Sequence, residues 1–590
     1  MTAPLGSWRL RRPRAPDWLH DYDRRAFSSD LVAAVIVTIM LIPQSLAYAL
    51  LAGLPPETGL YASILPAIVY AVFGSSRVLA VGPVAVISLM TASALAGVTS
   101  EHDVSWAAAA TLLALLSGAL LLLLGVLRMG WLANFLSHSV ISGFISAAAV
   151  IIALGQLRHL LGIDLHGETL PVLVPGLANA LLDGHALTAL VGCGALLFLT
   201  GARLWLGALL RRLGFTAMMA VLLVRSAPVL AVVVASLSVL LFGLDARGVA
   251  IVGVVPSGLP PLGLPEIDPA LVRALLPAAA LISLVGFVES ISVAQSLAMR
   301  RRQRVVPDRE LLGLGAANLA AGVSGGFPVT GGFSRSVVNY DAGAVSPMAG
   351  LLTGLFMALV ALLLTPIFED LPRAVLAAVI IVAVLPLVDL GAARRAWTTS
   401  RSDAIALVVT ALGVLLIGVE IGIALGVALA VGTHLWRSGR PHMAIVGRVP
   451  GTEHFRNIER HEVQTLDHVL AIRVDESLYF VNARFLEDRV LELVTARPAI
   501  TDVVLVCSAV NGIDGSALET LQSINSRLDV AGVRFHLSEV KGPVMDTLAR
   551  TPLPKALSGE IFFTQHEAML KLGANDEPGR APMSGSGDGI

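Results

Sequence analysis

Apolar residues fill long runs from Leu31 to about Trp436, broken by polar residues or by Pro and Gly. A membrane-crossing helix needs roughly 20 apolar residues, and the runs predict about fourteen spans. The first reaches from about Leu31 to Leu51, the second from Gly59 to Phe73, and the third starts abruptly at Gly82-Pro83. Trp106 to Leu127 and Leu132 to Leu154 follow. A polar segment, Gly155 to Gly184, precedes the sixth (Leu187 to Leu210) and seventh (Thr216 to Phe242). The eighth runs from about Leu275 to Ala298, the ninth from Leu311 to Val323, and the tenth starts at Pro328-Val329-Thr330. Met348 to Leu364, Ala374 to Leu390, Ala404 to Ile417 and Ile421 to Leu435 complete the set.

Beyond about His442 the pattern changes. Val469 to Val474, Val503 to Cys507 and Val533 to Leu537 read as buried strands, with helical stretches at Ala483 to Thr495 and Ser516 to Val530 between them. That alternation predicts an α/β domain. The chain therefore divides into an N-terminal segment (1–27), a membrane region (28–437), an α/β domain (442–570) and a tail (571–590). The tail is rich in Gly, Ser, Pro and Asp and is expected to be disordered.

Composition agrees: 55% of residues are hydrophobic and only 14% charged, against about a quarter charged in soluble domains. A net charge of −1 argues against a nucleic-acid partner. No signal peptide is expected at the N-terminus, because Arg9 to Arg25 is polar and no cleavage site follows the first apolar run. Cys193 and Cys507 fall in a span and in a soluble strand, so no disulfide is expected.

Arginine placement orients the spans. Arg9, Arg11, Arg12, Arg14, Arg24 and Arg25 precede the first span. Further arginines follow even-numbered spans: Arg128, Arg211 and Arg212, Arg300 to Arg302 with Arg304, Arg394, Arg395 and Arg401, then Arg437 and Arg440. Loops on the other side are more acidic (Asp164, Glu168, Asp183, Glu266, Asp268, Glu369, Asp370). The expectation is a multi-pass protein of a bacterial inner membrane, with both termini cytoplasmic.

The third and tenth spans are each interrupted by Gly and Pro, and each is third in a set of seven. Seven spans per repeat turn one half over relative to the other. Paired broken helices in an inverted repeat point to a substrate site, since first-turn N–H groups are free for a ligand and electropositive. Ordinary membrane-helix kinks are the alternative.

Arg335 lies one to two turns into the tenth span. An Arg at the bilayer centre costs about 2.5–3.5 kcal/mol on insertion scales, which an anion beside it would justify. The alternative is a structural pairing with Glu289 or a lipid phosphate. Ser334 and Ser336 flank it as possible donors to an oxyanion. Glu289 is eleven positions from Arg300, the nearest base in sequence, or about 16 Å of helix. That is too deep for easy snorkelling, and it suits a carrier of protons; a structural ion pair is the alternative. Gln44 and Tyr48 are four apart on one face of the first span, as substrate contacts or as helix–helix hydrogen bonds. There is no GxxxxGK[ST] run and no Cys/His cluster, so neither an ATP-driven pump nor a metal or other cofactor is expected. Ser516-Ala517-Leu518-Glu519 has capping-box spacing, which predicts that Ser516 starts a helix.

At these residues the sequence resembles the SulP family of sulfate permeases and related anion transporters. The run Ile42-Pro43-Gln44-Ser45-Leu46-Ala47-Tyr48-Ala49, with Gly53-Leu54-Pro55-Pro56 and Gly59-Leu60-Tyr61, looks like the family signature. Val81 to Val86 and Phe327 to Asn339 also match, and the C-terminal domain is similar to STAS domains. The resemblance implies a carrier, not an enzyme. It implies a seven-plus-seven inverted repeat, a core bundle moving against a dimer-side scaffold, and an anion held between the third and tenth helix starts. It places Gln44, Tyr48, Val84, Ser334 and Arg335 at binding positions and Glu289 where coupling carboxylates sit. Asp514-Gly515-Ser516 stands where STAS antagonists carry a phosphorylated Ser, which makes Ser516 a candidate regulatory phosphosite. Sulfate is the commonest bacterial substrate, with bicarbonate, C4-dicarboxylates and chloride as alternatives. Protons are the expected coupling ion, sodium the runner-up because Ser290 and Ser292 lie beside Glu289. An anion sensor signalling through its STAS domain is a reading of another class.

Overall fold

Helix α1 (Arg24–Leu51) starts where Asp23 accepts a hydrogen bond from the Ala26 N–H, and it carries Pro43 in its interior. The computed structural model describes residues 18, 22–102, 104–134, 137–165, 167, 169–180 and 183–573. The arginines at 9, 11, 12 and 14 and the tail from 574 lie outside the described residues.

The first half continues through α2 (Pro56–Tyr61), α3 (Leu65–Phe73), strand β1 (Val81–Gly82), α4 (Ala85–His102), α5 (Trp106–Val126), α6 (His138–Leu161), α7 (Leu170–Ala180), α8 (Ala186–Gly201), α9 (Gly207–Arg212), α10 (Ala217–Arg225) and α11 (Ala227–Phe242). The second half holds α12 (Pro269–Arg300), α13 (Pro307–Val323), strand β2 (Thr330–Gly331), α14 (Phe333–Asp341), α15 (Met348–Leu363), α16 (Arg373–Val384), α17 (Ala392–Thr399), α18 (Arg401–Leu416) and α19 (Val419–Gly439). Among the described residues, eight helical segments are long and apolar enough to cross a membrane unaided, and four apolar helices are shorter. The extra crossings expected from the sequence fall on short or broken helices, as at β1–α4 and β2–α14. The stretch read as a polar segment carries the end of α6 and all of α7, an apolar helix with Pro175 inside it.

Two sets of helices pack within the membrane region. In one, α5 lies along α13, and α1, α3, α12 and α15 pack around them. Glycines let α5 and α13 touch: a methyl on Gly118 would meet the Leu319 nitrogen at 2.7 Å, and one on Gly315 would meet the Leu122 nitrogen at 2.8 Å. Small residues promote such contact where lipid supplies no hydrophobic drive. In the other set α6 packs against α8, α16 and α18. Helices α1 and α16 meet where the two sets adjoin.

The chain forms two compact units, Met1–Ala430 and Val431–Ile590. The second is a six-stranded sheet of β3 (Met443–Arg448), β4 (Phe455–Asn457), β5 (Val469–Val474), β6 (Asp502–Val506), β7 (Arg534–Ser538) and β8 (Ile561–Phe562), in the order β4-β3-β5-β6-β7-β8. Strands β5 to β8 pair in parallel, and β3 is antiparallel to both neighbours. Helices α20 (Ala483–Thr495) and α21 (Gly515–Val530) provide the crossovers, α22 (Gly542–Leu548) and α23 (Leu553–Ala556) precede β8, and α24 (Gln565–Gly573) ends the unit. Every residue of β6 is buried, as expected for a central parallel strand covered on both faces. The expected tail boundary at 571 falls inside α24, whose Ala568 and Leu572 pack into the core.

Candidate functional site

Two short extended segments meet deep in the membrane unit. β1 and β2 pair antiparallel, Val81 with Gly331 and Gly82 with Thr330. Each runs straight into a helix. The first helical bonds are Ser88 N–H to the Val84 carbonyl (2.9 Å) and Ser336 N–H to the Gly332 carbonyl (3.1 Å). The N–H groups before them have no acceptor within their helices. Two electropositive helix starts thus face a shared strand pair, in opposite chain directions.

Neighbouring side chains fix this arrangement. Ser336 Oγ accepts from Ala80 N–H (3.0 Å) and donates to the Gly332 carbonyl (2.7 Å). Asn339 Nδ2 donates to the Val78 carbonyl (3.0 Å). Asn318 brackets Val329, donating to its carbonyl and accepting from its N–H, both at 2.9 Å. A hydroxyl relay ties β2 to α12: Gly331 N–H to Ser290 Oγ (2.8 Å), Ser290 Oγ to Thr330 Oγ1 (2.6 Å), and Thr330 Oγ1 to the Gly286 carbonyl (2.7 Å). Ser336 is therefore structural rather than a free donor. Of the two hydroxyls considered for sodium, Ser290 is committed to β2 and Ser292 donates to the Val288 carbonyl (2.7 Å).

Arg335 is 3% exposed, and its two terminal nitrogens have no hydrogen-bond partner. Its guanidinium lies beside Gly82 and Gly332, and Val84 stands against Gly332. Glu289 lies within electrostatic range, as does Tyr48, which senses both charges. No salt bridge joins Glu289 to Arg335 among the described residues, and Glu289 Oε2 is buried without a partner. The structural ion pair is thus not formed. Burying a guanidinium whose terminal nitrogens lack acceptors is costly, so the arrangement leaves donors that a bound anion would satisfy.

Gln44 and Ser334 sit elsewhere, on the wall of a cavity of about 470 Å³ between α1, α8, α10, α11, α14 and α16. Sequence reasoning missed two basic residues on the same wall, Arg203 and Arg225. Arg225 Nη2 pairs with Asp341 at 2.9 Å, and Arg203 Nη1 donates to the Val382 carbonyl at 2.9 Å. Both interrupt apolar runs, the signal that singled out Arg335. The structure thus brings Tyr48, Glu289 and Arg335 together, with Val84 beside them, and sets Gln44 and Ser334 on the wall of a separate cavity.

Ser516 does not start α21. Asp514 is the cap, accepting from Ala517 N–H at 2.8 Å, and its other oxygen accepts from Phe480 N–H at 2.8 Å. Two acceptor atoms let Asp514 close the helix and the neighbouring turn together, which a single hydroxyl cannot do. Ser516 is left exposed in the first turn. No cluster of three or more metal-ligating side chains occurs among the described residues.

The sulfate permease family profile matches residues 27–410 and the STAS domain profile residues 460–568. The chain is 36% identical over 568 residues to sulfate transporter 4.1, chloroplastic, of Arabidopsis thaliana, covering 94% of this chain and 81% of that one. It is 32% identical over 547 residues to a probable sulfate transporter of Mycobacterium tuberculosis, covering 92% and 95%. Among solved structures, murine solute carrier 26 family member A9, an anion transporter in the inward-facing state, superposes with a TM-score of 0.85 at 22% identity, covering 95% of this chain and 93% of that one. The transmembrane domain of a cyanobacterium bicarbonate transporter superposes with a TM-score of 0.57 at 21% identity, covering 70% and 99%.

Proposed function

The chain belongs to the sulfate permease family, and on that premise we propose that it is a secondary active sulfate carrier coupled to protons. The observation that carries this reading is Arg335: a buried guanidinium without a partner, beside two facing helix starts. A tetrahedral oxyanion would take the free N–H groups of both helices and the guanidinium together, with Tyr48 and Val84 closing the site. Sulfate is favoured because relatives that match nearly the whole chain carry that name; bicarbonate, chloride and C4-dicarboxylates are the competitors.

Moving a divalent anion into a negative-inside compartment costs about 2.3 kcal/mol per charge per 100 mV. Glu289 is our candidate for returning that cost, taking a proton on one side of the membrane and releasing it on the other. Translocation would proceed by the set built on α5 and α13 sliding against the set built on α6 and α16, carrying the site with it. Arginines after the even-numbered spans put both termini in the cytoplasm. The α/β unit would then be a cytoplasmic regulatory domain of a homodimer.

The test is uptake of labelled sulfate, bicarbonate, chloride and malate by the purified full-length protein in proteoliposomes, under imposed pH or sodium gradients. Sulfate accumulation driven by an inward proton gradient without sodium is expected. Arg335→Ala should lower sulfate uptake at low concentration roughly tenfold or more, since a charge-assisted hydrogen bond contributes about 1.5–3 kcal/mol. Full uptake by a folded Arg335→Ala protein would remove Arg335 from the site.

A further inference from the structure

A second, much smaller cavity lies against Arg335, walled by α1, α3, the residues entering β1, α14 and α15. It offers about 10 Å³ to the centre of a water molecule, roughly what one water needs. Four of its lining side chains carry polar groups. Tyr70 Oη donates to Glu310 at 2.6 Å and Thr353 Oγ1 donates to the Ala349 carbonyl at 2.8 Å, so the protons of both are committed. Arg335 and Asn339 are different. Both are buried, and the two terminal nitrogens of Arg335 and Oδ1 of Asn339 have no hydrogen-bond partner.

The orientation of Asn339 is fixed. Its Nδ2 donates to the Val78 carbonyl at 3.0 Å; turned over, its oxygen would face that carbonyl instead. Oδ1 is therefore a free acceptor. Asn339 is four residues beyond Arg335 on α14, so the two share one helix face and one cavity. They do not bond to each other directly. The result is unused donors and an unused acceptor around a space of one water. Each such buried group is costly to leave unmade, and native interiors satisfy nearly all of them.

The chemistry selects the occupant. A sulfate ion does not fit the space, a cation would meet the guanidinium charge, and an apolar guest would satisfy neither residue. A water accepts from the guanidinium and donates to Oδ1. We propose that this cavity is a water site, in which one buried water joins Arg335 to Asn339 and holds the guanidinium beside Gly82 and Gly332, making Asn339 a positioning residue for the anion. The positioning role rests on the anion-carrier reading above; the occupancy of the cavity does not.

Gly350 on α15 supplies a variant that alters neither residue. It lines the same cavity, and a methyl there would meet one neighbouring atom, the Ala67 carbonyl oxygen, at 3.9 Å. The methyl finds room and competes for the water's space. Gly to Ala inside a helix is ordinarily stabilising. If nothing occupied the cavity, Gly350→Ala would raise the melting temperature by about 1–3 °C and leave transport unchanged. With the water present, the methyl evicts it and orphans both polar groups. The full-length variant should then melt at or below the wild-type temperature. Its KM for labelled sulfate in proteoliposomes should rise about three- to tenfold, with the maximal rate unchanged. A high-resolution density map of the wild-type protein without sulfate should show a peak within hydrogen-bonding distance of Arg335 and Asn339, and Gly350→Ala should lack it. The wild-type map decides alone should the variant not fold. An empty cavity in that map, or a stabilised Gly350→Ala with unchanged KM, overturns the water site. Loss of the peak with unchanged KM overturns the positioning role of Asn339. A wild-type protein that carries none of the four anions removes the carrier reading, and the map and the melt still decide the water.

Discussion

Gly82 packs directly against Arg335: a methyl group at Gly82 would stand 2.9 Å from the nearest guanidinium nitrogen. The atom in the way is the far end of a flexible side chain, so the guanidinium must leave its place between the helix starts, and the φ of +158° at Gly82 is one that an L side chain rarely adopts, so the backbone is strained as well. Gly82→Ala should therefore still assemble but melt roughly 2–8 °C below wild type. Its KM for sulfate should rise roughly threefold to tenfold. Uptake kinetics and a thermal melt on one preparation check both halves, and unchanged KM would separate the guanidinium's position from binding.

Glu310 holds the turn that leads into β1. It is fully buried and accepts from Tyr70 Oη (2.6 Å), Ser75 N–H (2.8 Å), Ser75 Oγ (2.6 Å) and Ser76 N–H (2.9 Å). Glu310→Ala orphans these donors, and each buried donor without an acceptor costs about 1–3 kcal/mol. The expected result is a melting temperature lower by roughly 5–15 °C, with Glu310→Gln in between because its amide oxygen still accepts. A Glu310→Ala protein as stable as wild type would mean that water replaces the carboxylate there.

Asp514 and Ser516 separate capping from regulation. Asp514→Ala removes the α21 cap and the acceptor of Phe480 N–H, at a cost of about 0.5–2 kcal/mol. Hydrogen exchange at Ala517 and Phe480 should quicken in the full-length protein. Ser516→Ala should leave both amides as protected as in wild type, because its hydroxyl caps nothing. Equal exchange in the two variants would return the cap to Ser516.

The α/β unit carries a pH-sensitive pair. His536 Nδ1 accepts from Glu560 N–H at 2.9 Å, so its proton is on Nε2 and goes to Asp502 Oδ1 at 2.9 Å. Burial pushes the His536 pKa down despite the Asp502 carboxylate. Burial also acts to raise that of Asp502, but bonds from Arg534, Thr501 and His536 outweigh it and hold the carboxyl below its ordinary range. A depressed His takes up a proton more readily when unfolded. The stability it contributes is complete above its ordinary value near 6.5 and declines as pH falls towards its folded value. The Asp502 contribution is lost only lower, as pH falls from about 3.9 through its folded value. The stability of this unit should be insensitive to pH above about 7 and should fall progressively below about 6. His536→Gln should flatten the upper part of that slope.

What the sequence disclosed follows from how each feature is encoded. Gly and Pro punctuate β1–α4 and β2–α14, and a charge inside an apolar run marks Arg335 and Glu289 whatever the fold. Helix phase is different. Ser334 and Ser336 are about 200° apart around α14, and only the neighbouring β1 decides that Ser336 is consumed while Ser334 faces the cavity. Asp514 and Ser516 each have a plausible capping register, and the contact with Phe480, remote in sequence, chooses between them. Arg203 and Arg225 carried the same mark as Arg335, yet they stand close to the Arg211–Arg212 loop and merge with its charge. Strands β4 and β8 are too short, at three and two residues, to leave a periodic trace.

Glu289 carries the most exposed prediction. It lies within electrostatic range of Arg335 without bonding to it, and its buried Oε2 has no partner. A bound anion beside Arg335 would weaken the guanidinium's attraction for a Glu289 carboxylate, so anion binding and protonation should favour each other. That is the thermodynamic requirement for symport, because each ligand raises the affinity for the other by the same factor. Ser290 and Ser292 are already committed to other partners, which counts against a sodium ion at this position. Glu289→Gln imitates the protonated acid. It should abolish sulfate accumulation driven by a pH gradient with sodium absent, yet permit exchange of labelled for unlabelled sulfate across the membrane. Wild-type sulfate affinity should depend on pH and that of Glu289→Gln should not, a difference a merely structural carboxyl would not produce. Undiminished proton-driven accumulation in Glu289→Gln would take the carboxyl out of coupling and leave an exchanged anion as the source of energy.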